Sequence, residues 1–353
     1  MNSVNYGNRL QNYALQESIK KNNVIVETIH NPFEKTYSNK KYLFKRLLRK
    51  VVFYICRNDL KYSQVIREEN FEKFDKEYVV FSKRWLNNSK HCKLLNAEYN
   101  SFVCGSDQVW NSEAKQIDER WFAFFADKRK RNSYAASFGL NYIYKERREE
   151  FKKYLMGMNH ISVREKSGID IVNDLCSRKA ECHIDPTMLL DINEWKKIEK
   201  KPASFCPDSY LLTYFLGKKT IDIENAIKKI EEKYDLKVIN LNDKNQLEYY
   251  IVSPSEFIYL FSHARYIITD SFHGTVFSCL FHKPFTVCDR VGTDHAMFTR
   301  IDNLLDMFDL NDRKLSVQND FSEDINFSNI QTVLDEERKK SFDYLKKVID
   351  SSR

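Results

Sequence analysis

The stretch ARYIITDSFHGTVFSCLFHKPFTV, residues 264–287, decides the fold that the sequence predicts. Its segment Tyr266–Thr269 is rich in β-branched residues, which is typical of a strand buried in a parallel sheet. Thr275–Phe281 then has the apolar composition of a buried helix, which Lys283 and Pro284 end. Because Pro284 leads into another β-rich run, the pattern is a strand, a polar turn, a helix and a second strand.

The polar turn of this unit carries its reactive groups. Ser271 and His273 follow the strand, and Gly274 opens the helix. Open α/β sheets bind ligands at the carboxyl ends of their strands, and the N–H groups of a helix N-terminus favour an anion. We therefore predict an anion site here. A single histidine in such a turn is more often a capping or core residue, so the prediction depends on the polar groups around it.

Length and composition predict two folded units. At 353 residues, with 42% hydrophobic residues and only 8 Gly and 6 Pro, the chain has the composition of packed domains. The charged segment Lys196–Pro207 lacks apolar periodicity and marks the predicted boundary. We predict an N-terminal domain over residues 1–195, a C-terminal domain over residues 205–330, and a helix over residues 331–353 that packs back on the first domain.

Strand and helix patterns alternate along the whole chain, which predicts the α/β class. Short polar clusters follow several predicted strands, as Ser271 and His273 do. A cleft between the two domains would gather these groups, and its predicted lining is Asn8, Ser106, Asp107, Arg164, Asp185, Ser271, His273 and Arg300.

Three of these residues also have structural interpretations, and the sequence leaves the choice open. Asp107 either orients or deprotonates a substrate hydroxyl or caps a helix. Arg164 either binds a phosphate or carboxylate with its bidentate guanidinium or pairs with Glu165 or another carboxylate. Asp185 either lines the cleft or braces the turn before Pro186.

A basic amphipathic block lies within a predicted insertion at about residues 40–90. Lys40–Arg57 reads KKYLFKRLLRKVVFYICR and contains seven cations. One interpretation is a helix that lies on an anionic membrane leaflet. The other is a domain helix whose apolar side packs on the core. Both interpretations stay open at this stage.

Several classes of protein are excluded or disfavoured. The eight cysteines include no C-x-x-C pair, and no zinc site or other metal site is predicted. The G-x-S-x-G, H-E-x-x-H, G-x-G-x-x-G and P-loop motifs are absent from the sequence. A net charge of +7 is modest for this length and disfavours a nucleic-acid partner. No secretory h-region follows Met1 and no apolar run could span a bilayer, so we predict a cytoplasmic protein that contacts at most the inner face of the membrane.

Six motifs in one order resemble a known family, the polysaccharide pyruvyl transferases. Together they cover nearly the whole chain, and Arg300 with Ile301 extends the resemblance. The motifs are NYGNRLQNYALQ (5–16), VCGSDQVWN (103–111), YAASFG (134–139), SVREKSG (162–168), DPTMLL (185–190) and TDSFHGTVFS (269–278).

The resemblance implies a fold and a reaction. The fold is GT-B-like, with two Rossmann-like domains that face each other across a cleft. The reaction transfers pyruvate from phosphoenolpyruvate to two hydroxyls of a sugar, on a cell-surface polysaccharide or its lipid-linked precursor, and releases phosphate. The product is a cyclic ketal, and phosphoenolpyruvate is the donor substrate, with no further cofactor.

The resemblance also implies roles for the cleft residues. His273 would be the acid that protonates the enol or a hydrogen-bond donor to the phosphate. Arg164 and Arg300 would hold the donor's carboxylate and phosphate, together with Ser271 and Gly274. The acceptor would face the catalytic candidate Asp107 and the binding residues Asn8, Gln11 and Ser106.

Two other functions fit the same cleft. One is a GT-B glycosyltransferase that uses a nucleotide sugar, because the arginines would also bind its phosphates. The other is a non-catalytic glycan-binding relative that keeps the fold.

Overall fold

The computed structural model describes residues 4–30, 40–86, 88–113, 117–204, 206–290, 299–318 and 320–351. Within these ranges the first part of the chain alternates helices with short strands. These elements are α1 (Tyr6–Lys20), β1 (Thr28–His30), α2 (Lys40–Ile55), α3 (Asp59–Tyr78), β2 (Phe81–Trp85), α4 (Ser89–Glu98), β3 (Phe102–Cys104), β4 (Arg131–Ser133), α5 (Arg148–Met156), β5 (Ser162–Val163), α6 (Lys166–Cys176), β6 (Glu181–Cys182) and α7 (Ile192–Lys196).

The second part of the chain continues the alternation and ends in a long helix. Its elements are β7 (Tyr210–Tyr214), α8 (Ile221–Tyr234), β8 (Lys237–Leu241), α9 (Leu247–Tyr250), α10 (Pro254–His263), β9 (Tyr266–Thr269), α11 (Phe272–Leu280), β10 (Phe285–Val287), α12 (Thr299–Phe308) and α13 (Phe327–Asp350).

The second part contains a four-stranded parallel sheet with the order β10–β9–β7–β8. The chain moves outward from β7 to β8 and then returns to the other side of β7 with β9. The order therefore reverses between β7 and β9, where open α/β sheets place their ligand crevice. Asp270 follows β9 and accepts hydrogen bonds from the N–H groups of Leu216 and Gly217, both at 2.7 Å, so the two loops meet at this point.

The strands of the first part pair in parallel as β1 with β2, β3 with β4, and β5 with β6. Single bridges from Asn132 to His160 and from Ala136 to Val163 connect β4 to the segment containing β5. The α/β class is confirmed by these parallel pairs and by the four-stranded sheet. Two complete Rossmann-like domains in a GT-B arrangement, and the domain boundaries, stay predictions.

The predicted central unit is confirmed, with one shift at the helix start. β9 spans the predicted residues, whereas α11 begins at Phe272 rather than at Thr275. The cause is the Ser271 side chain, which caps the helix by accepting a hydrogen bond from the Gly274 N–H at 3.3 Å. The β-branched run Val24–Ile29 also predicts a strand, but only Thr28–His30 forms one in the structure.

The largest buried apolar cluster joins α1 and α3 to the helices around β9. Tyr6 in α1 stacks on Phe257 in α10 with ring centroids 4.7 Å apart, and its hydroxyl donates to the Val252 carbonyl at 2.9 Å. Arg67 in α3 donates to the Tyr250 carbonyl. These contacts fix the N-terminal helix against the second part of the chain, and they bring the loop before α1 close to the start of α11.

The C-terminal helix α13 packs on residues of the first part. The Tyr344 hydroxyl donates to the Ser133 carbonyl at 2.8 Å, and Arg338 donates to the carbonyls of Met188 and Leu190. Among the described residues, no helix has the length and apolar character needed to cross a bilayer.

Candidate active site

The first turn of α11 holds His273 against α1. His273 is buried, and its ring packs directly on the backbone of Gly7, near the start of α1. A Cβ added to Gly7 would lie 2.0 Å from Nδ1 of His273 and 2.5 Å from Cγ and Cε1. The glycine of the NYGN motif is therefore required because the imidazole occupies the space of its missing side chain.

Asp185 connects the histidine to the first arginine. One of its oxygens, Oδ2, accepts a hydrogen bond from Arg164 Nη1 at 2.5 Å and lies 3.8 Å from His273 Nε2. The other oxygen accepts from the N–H and the hydroxyl of Thr187, at 3.0 and 2.7 Å. Asp185 therefore braces the turn before Pro186 and contacts the site as well, so both of its open interpretations hold.

Asp107 lies on the other side of Arg164. Its Oδ1 is 3.7 Å from Arg164 Nη2, and its Oδ2 accepts a weak 3.5 Å hydrogen bond from Asn8. Its side chain is 25% exposed, compared with 2% for Arg164. Asp107 is therefore the acidic group of the site that solvent or a substrate can reach.

The first two turns of α1, which contain Asn8 and Gln11, and the loop after β3 hold each other in place. The Ser106 N–H donates to Gln11 Oε1 at 2.9 Å. The Ser106 hydroxyl donates to the Ala135 carbonyl at 2.6 Å and also reaches Asp185 Oδ2 at 3.4 Å. Gln11 also donates to the Asn8 carbonyl. Gln11 thus fixes the loop after β3, whereas Ser106 contacts Asp185 and Asn8 contacts Asp107 in the site.

Two guanidinium groups share one aromatic ring. The Cζ of Arg164 lies 4.7 Å from the centre of the Phe272 ring, and that of Arg300 lies 5.7 Å from it. Phe272 directly precedes His273 at the start of α11, so the ring sets both arginines beside the imidazole. Two like charges held this close favour an anion between or beside them.

Four buried nitrogens of this cluster have no hydrogen-bond partner among the described residues. They are Nε and Nη2 of Arg164, Nε2 of His273, and Nε of Arg300. Native proteins rarely leave buried donors unpaired, because each costs about 1–3 kcal/mol. The nitrogens without partners belong to two guanidinium groups and an imidazole, and a small ligand with more than one negative charge would supply acceptors for them.

The charges of the cluster perturb one another. Burial lowers the pKa of His273 below its usual value, and Arg164 and Arg300 add to this, although Asp185 and Asp107 act in the opposite direction. Burial also lowers the pKa of Arg300 to about 10, with Arg164 as the next cause. Perturbed groups that share one buried cluster are typical of functional sites.

The two carboxylates stay ionised in spite of their burial. Burial alone would raise the pKa of Asp185, but His273, Arg164 and the hydrogen bonds from Thr187 hold it below its usual value. Burial likewise opposes ionisation of Asp107, and Arg164, His273 and Arg300 together lower its pKa.

The structure thus brings most of the predicted site residues into one cluster. Ser271 and Gly274 lie at its edge, where the Gly274 N–H is used by the Ser271 cap. Their donor-binding role, like the other assigned roles, stays a prediction. Sequence reasoning missed Gly7, whose only signal was its place in the NYGN motif, and Phe272. Within the described residues, no group of three or more His, Cys, Asp or Glu is placed to hold a metal ion.

The fold and site define an α/β protein in which strand ends and the first turn of α12 gather two arginines, a histidine and two carboxylates in one cluster. A family model described as polysaccharide pyruvyl transferase matches residues 5–290. The chain therefore belongs to the polysaccharide pyruvyl transferase family, which confirms the resemblance and indicates a transferase of polysaccharide pyruvylation. Arg300 lies beyond the matched span. Neither the comparison with curated proteins nor the comparison with solved structures found a match.

Proposed function

We propose that this protein transfers pyruvate from phosphoenolpyruvate to two hydroxyls of a sugar, on a cell-surface polysaccharide or its lipid-linked precursor. The observation that carries the proposal is the set of unfilled donors on Arg164, Arg300 and His273. Phosphoenolpyruvate has a carboxylate and a phosphate close together, so it would supply acceptors to both guanidinium groups at once.

The chemistry assigns the acid step to His273. Protonation of the methylene carbon of phosphoenolpyruvate leaves an oxocarbenium-like centre at the adjacent carbon. A sugar hydroxyl attacks that centre, phosphate departs, and the second hydroxyl closes the ketal ring. His273 is the group in the cluster whose usual pKa is nearest to neutrality, and its open Nε2 is the atom from which a proton would leave.

Asp107 is the proposed base for the acceptor. It is ionised, it is the more exposed of the two carboxylates, and it is contacted by Asn8 from the first turn of α1. An ionised carboxylate at the open side of the cluster can accept the proton of an attacking hydroxyl. Asp185 is fully buried and paired, so its role is to position Arg164 and His273.

The test is phosphate release from phosphoenolpyruvate in the presence of a panel of free and lipid-linked sugars. We expect His273→Ala to abolish release while the protein stays folded. The matched control is His263→Ala, because His263 is an exposed histidine on α10 that stacks only on Tyr259 within its own helix. Full turnover by His273→Ala would remove this residue from the mechanism.

Ligand protection separates the proposal from its alternative. A pyruvyl transferase should be protected against thermal unfolding by phosphoenolpyruvate, because a ligand that binds only the folded state stabilises it. A glycosyltransferase should instead be protected by UDP or GDP. Protection by a nucleotide and not by phosphoenolpyruvate would contradict the proposal. We place the reaction in the cytoplasm, where phosphoenolpyruvate is made.

A further inference from the structure

Helix α2 exposes its apolar face to solvent. Seven large apolar side chains along this helix are 47% to 72% exposed. They recur at spacings of three and four residues, so they form one continuous stripe. This stripe, the α2 apolar face, consists of Phe44, Leu47, Leu48, Val51, Val52, Tyr54 and Ile55.

The opposite face of α2 is charged and is fixed to α3. Lys50 pairs with Glu69 at 2.8 Å, and Arg46 pairs with Glu72. Arg49 lies 3.7 Å from Glu68. The orientation of α2 is therefore set by ion pairs, and it turns the apolar residues outward. The interpretation of this segment as a domain helix that packs its apolar side on the core is wrong.

The charges around the α2 apolar face select its occupant. Residues 40–57 contain seven cations and no Asp or Glu. Three of these cations pair with α3 on the opposite face, whereas Lys45 and Arg57 are exposed beside the stripe. A second copy of this face would bring apolar surface but only further positive charge. An anionic lipid surface supplies both an apolar layer and counter-charges, and long cationic side chains reach its headgroups easily.

We propose that α2 docks on an anionic lipid bilayer, with its apolar face in the interfacial layer and its axis in the membrane plane. The helix has 16 residues and is therefore about 24 Å long. A helix with a wide apolar stripe and a cationic border is the form in which peripheral proteins bind membranes.

The docking surface connects to the acceptor side of the site. α3 holds α2 through Glu69 and Glu72, and one turn further along it Asp75 pairs with Arg9 at 3.0 Å. Arg9 also donates to Asn8, which contacts Asp107. If the acceptor is lipid-linked, a point that rests on the proposed function, this arrangement would hold the acceptor loop close to the membrane that carries the substrate.

The experiment measures binding to vesicles without donor or acceptor, so it does not depend on catalysis. We expect the full-length protein to co-sediment with vesicles of phosphatidylcholine and phosphatidylglycerol, and to bind pure phosphatidylcholine more weakly. Binding should fall as salt is raised. The double variant Leu47→Gln/Val51→Gln should have a vesicle partition coefficient at least about tenfold lower than that of the wild-type protein. Because both residues are exposed, the variant should fold normally.

The control is Ile221→Gln, which removes a 67% exposed apolar side chain from α8 and should leave binding unchanged. A Tyr54→Trp variant adds a direct readout, since its fluorescence should shift to the blue and be quenched by brominated lipid. The double variant and the wild-type protein should show equal thermal protection by phosphoenolpyruvate and equal turnover of a water-soluble acceptor. If the wild-type protein shows neither protection nor turnover but still binds vesicles, the proposed function is contradicted and the membrane proposal is not.

Three outcomes would overturn the membrane proposal. The first is no binding of the wild-type protein to anionic vesicles at low salt. The second is full binding by Leu47→Gln/Val51→Gln. The third is a wild-type protein that is dimeric in solution and does not bind vesicles, and that becomes monomeric with the double substitution. This result would show that a second copy covers the α2 apolar face.

Discussion

Gly7→Ala tests whether the position of His273 is set by the missing side chain of Gly7. The added Cβ would lie 2.0 Å from Nδ1 of His273, whereas Cβ atoms essentially never approach other heavy atoms closer than 3.0 Å. The imidazole must therefore retreat by about 1 Å, the difference between these two distances. A displacement of about 1 Å at a reacting group can cost about 100-fold in rate, which corresponds to about 2.7 kcal/mol of activation free energy.

The effect of Gly7→Ala on stability has two opposing contributions. Forcing a methyl group into a packed contact costs about 1–3 kcal/mol. Alanine is favoured over glycine within a helix by about 0.5–1 kcal/mol. We therefore expect a net loss of unfolding free energy between about 0 and 2.5 kcal/mol. This is less than the stability of a typical domain and too small to explain a 100-fold loss of activity by unfolding.

A double-mutant cycle with His273→Ala isolates the contact. In the His273→Ala background the ring is absent, so the methyl group added by Gly7→Ala has room. In this background Gly7→Ala should leave the free energy of unfolding in urea unchanged or raise it slightly. In the wild-type background the same change should be destabilising and should slow phosphate release about 100-fold. Equal stability changes in the two backgrounds, or wild-type turnover by Gly7→Ala alone, would refute the reasoning.

Three further substitutions separate binding from stability. Arg300→Met should raise the KM for phosphoenolpyruvate about tenfold or more without destabilising the protein, because burial and Arg164 already lower the pKa of Arg300 to about 10. Arg164→Met should lower the unfolding free energy by about 3–5 kcal/mol, because it leaves Asp185 buried without its cation, and normal urea stability would contradict that pairing. His183 is buried, which lowers its pKa to about 4 in the folded protein. In the unfolded chain a histidine has a pKa of about 6.5, so the unfolded chain binds the proton at a higher pH than the folded protein does. The free energy of unfolding should therefore fall by about 3 kcal/mol as the pH drops from 6.5 to 4. His183→Gln should remove this part of the pH dependence in urea titrations, and an unchanged profile would exclude His183 as its source.

The sequence predicted the elements whose signals are local. Strand β9 and the helix after it were predicted because β-branched residues give way to a polar turn and then to apolar residues. Similar local patterns predict strands at Tyr210–Phe215 and Lys237–Leu241 and a helix over Ser255–Ser262, and the structure has them at Tyr210–Tyr214, Lys237–Leu241 and Pro254–His263. The apolar run alone places the start of α11 three residues late, because the Ser271 cap starts the helix at Phe272.

Other features depend on contacts between distant parts of the chain. The requirement for Gly7 comes from a ring in another helix, and no pattern around residue 7 reports it. The outward orientation of the α2 apolar face also depends on a distant contact, because it follows from which face of α2 forms ion pairs with α3. The amphipathic pattern of residues 40–57 is the same whether the apolar face is covered or exposed. Only Glu68, Glu69 and Glu72, placed by the fold, decide between the two interpretations.

The charge balance of the site explains how a histidine with a lowered pKa can serve as an acid. Without donor, burial lowers the pKa of His273, and Arg164 and Arg300 add to this against the opposing effect of Asp185 and Asp107. Phosphoenolpyruvate would add negative charge beside the open Nε2 of His273, and nearby negative charge favours the protonated imidazole. Binding of the proposed donor would therefore protonate the group that the reaction needs as its acid, and the free protein would keep that group neutral.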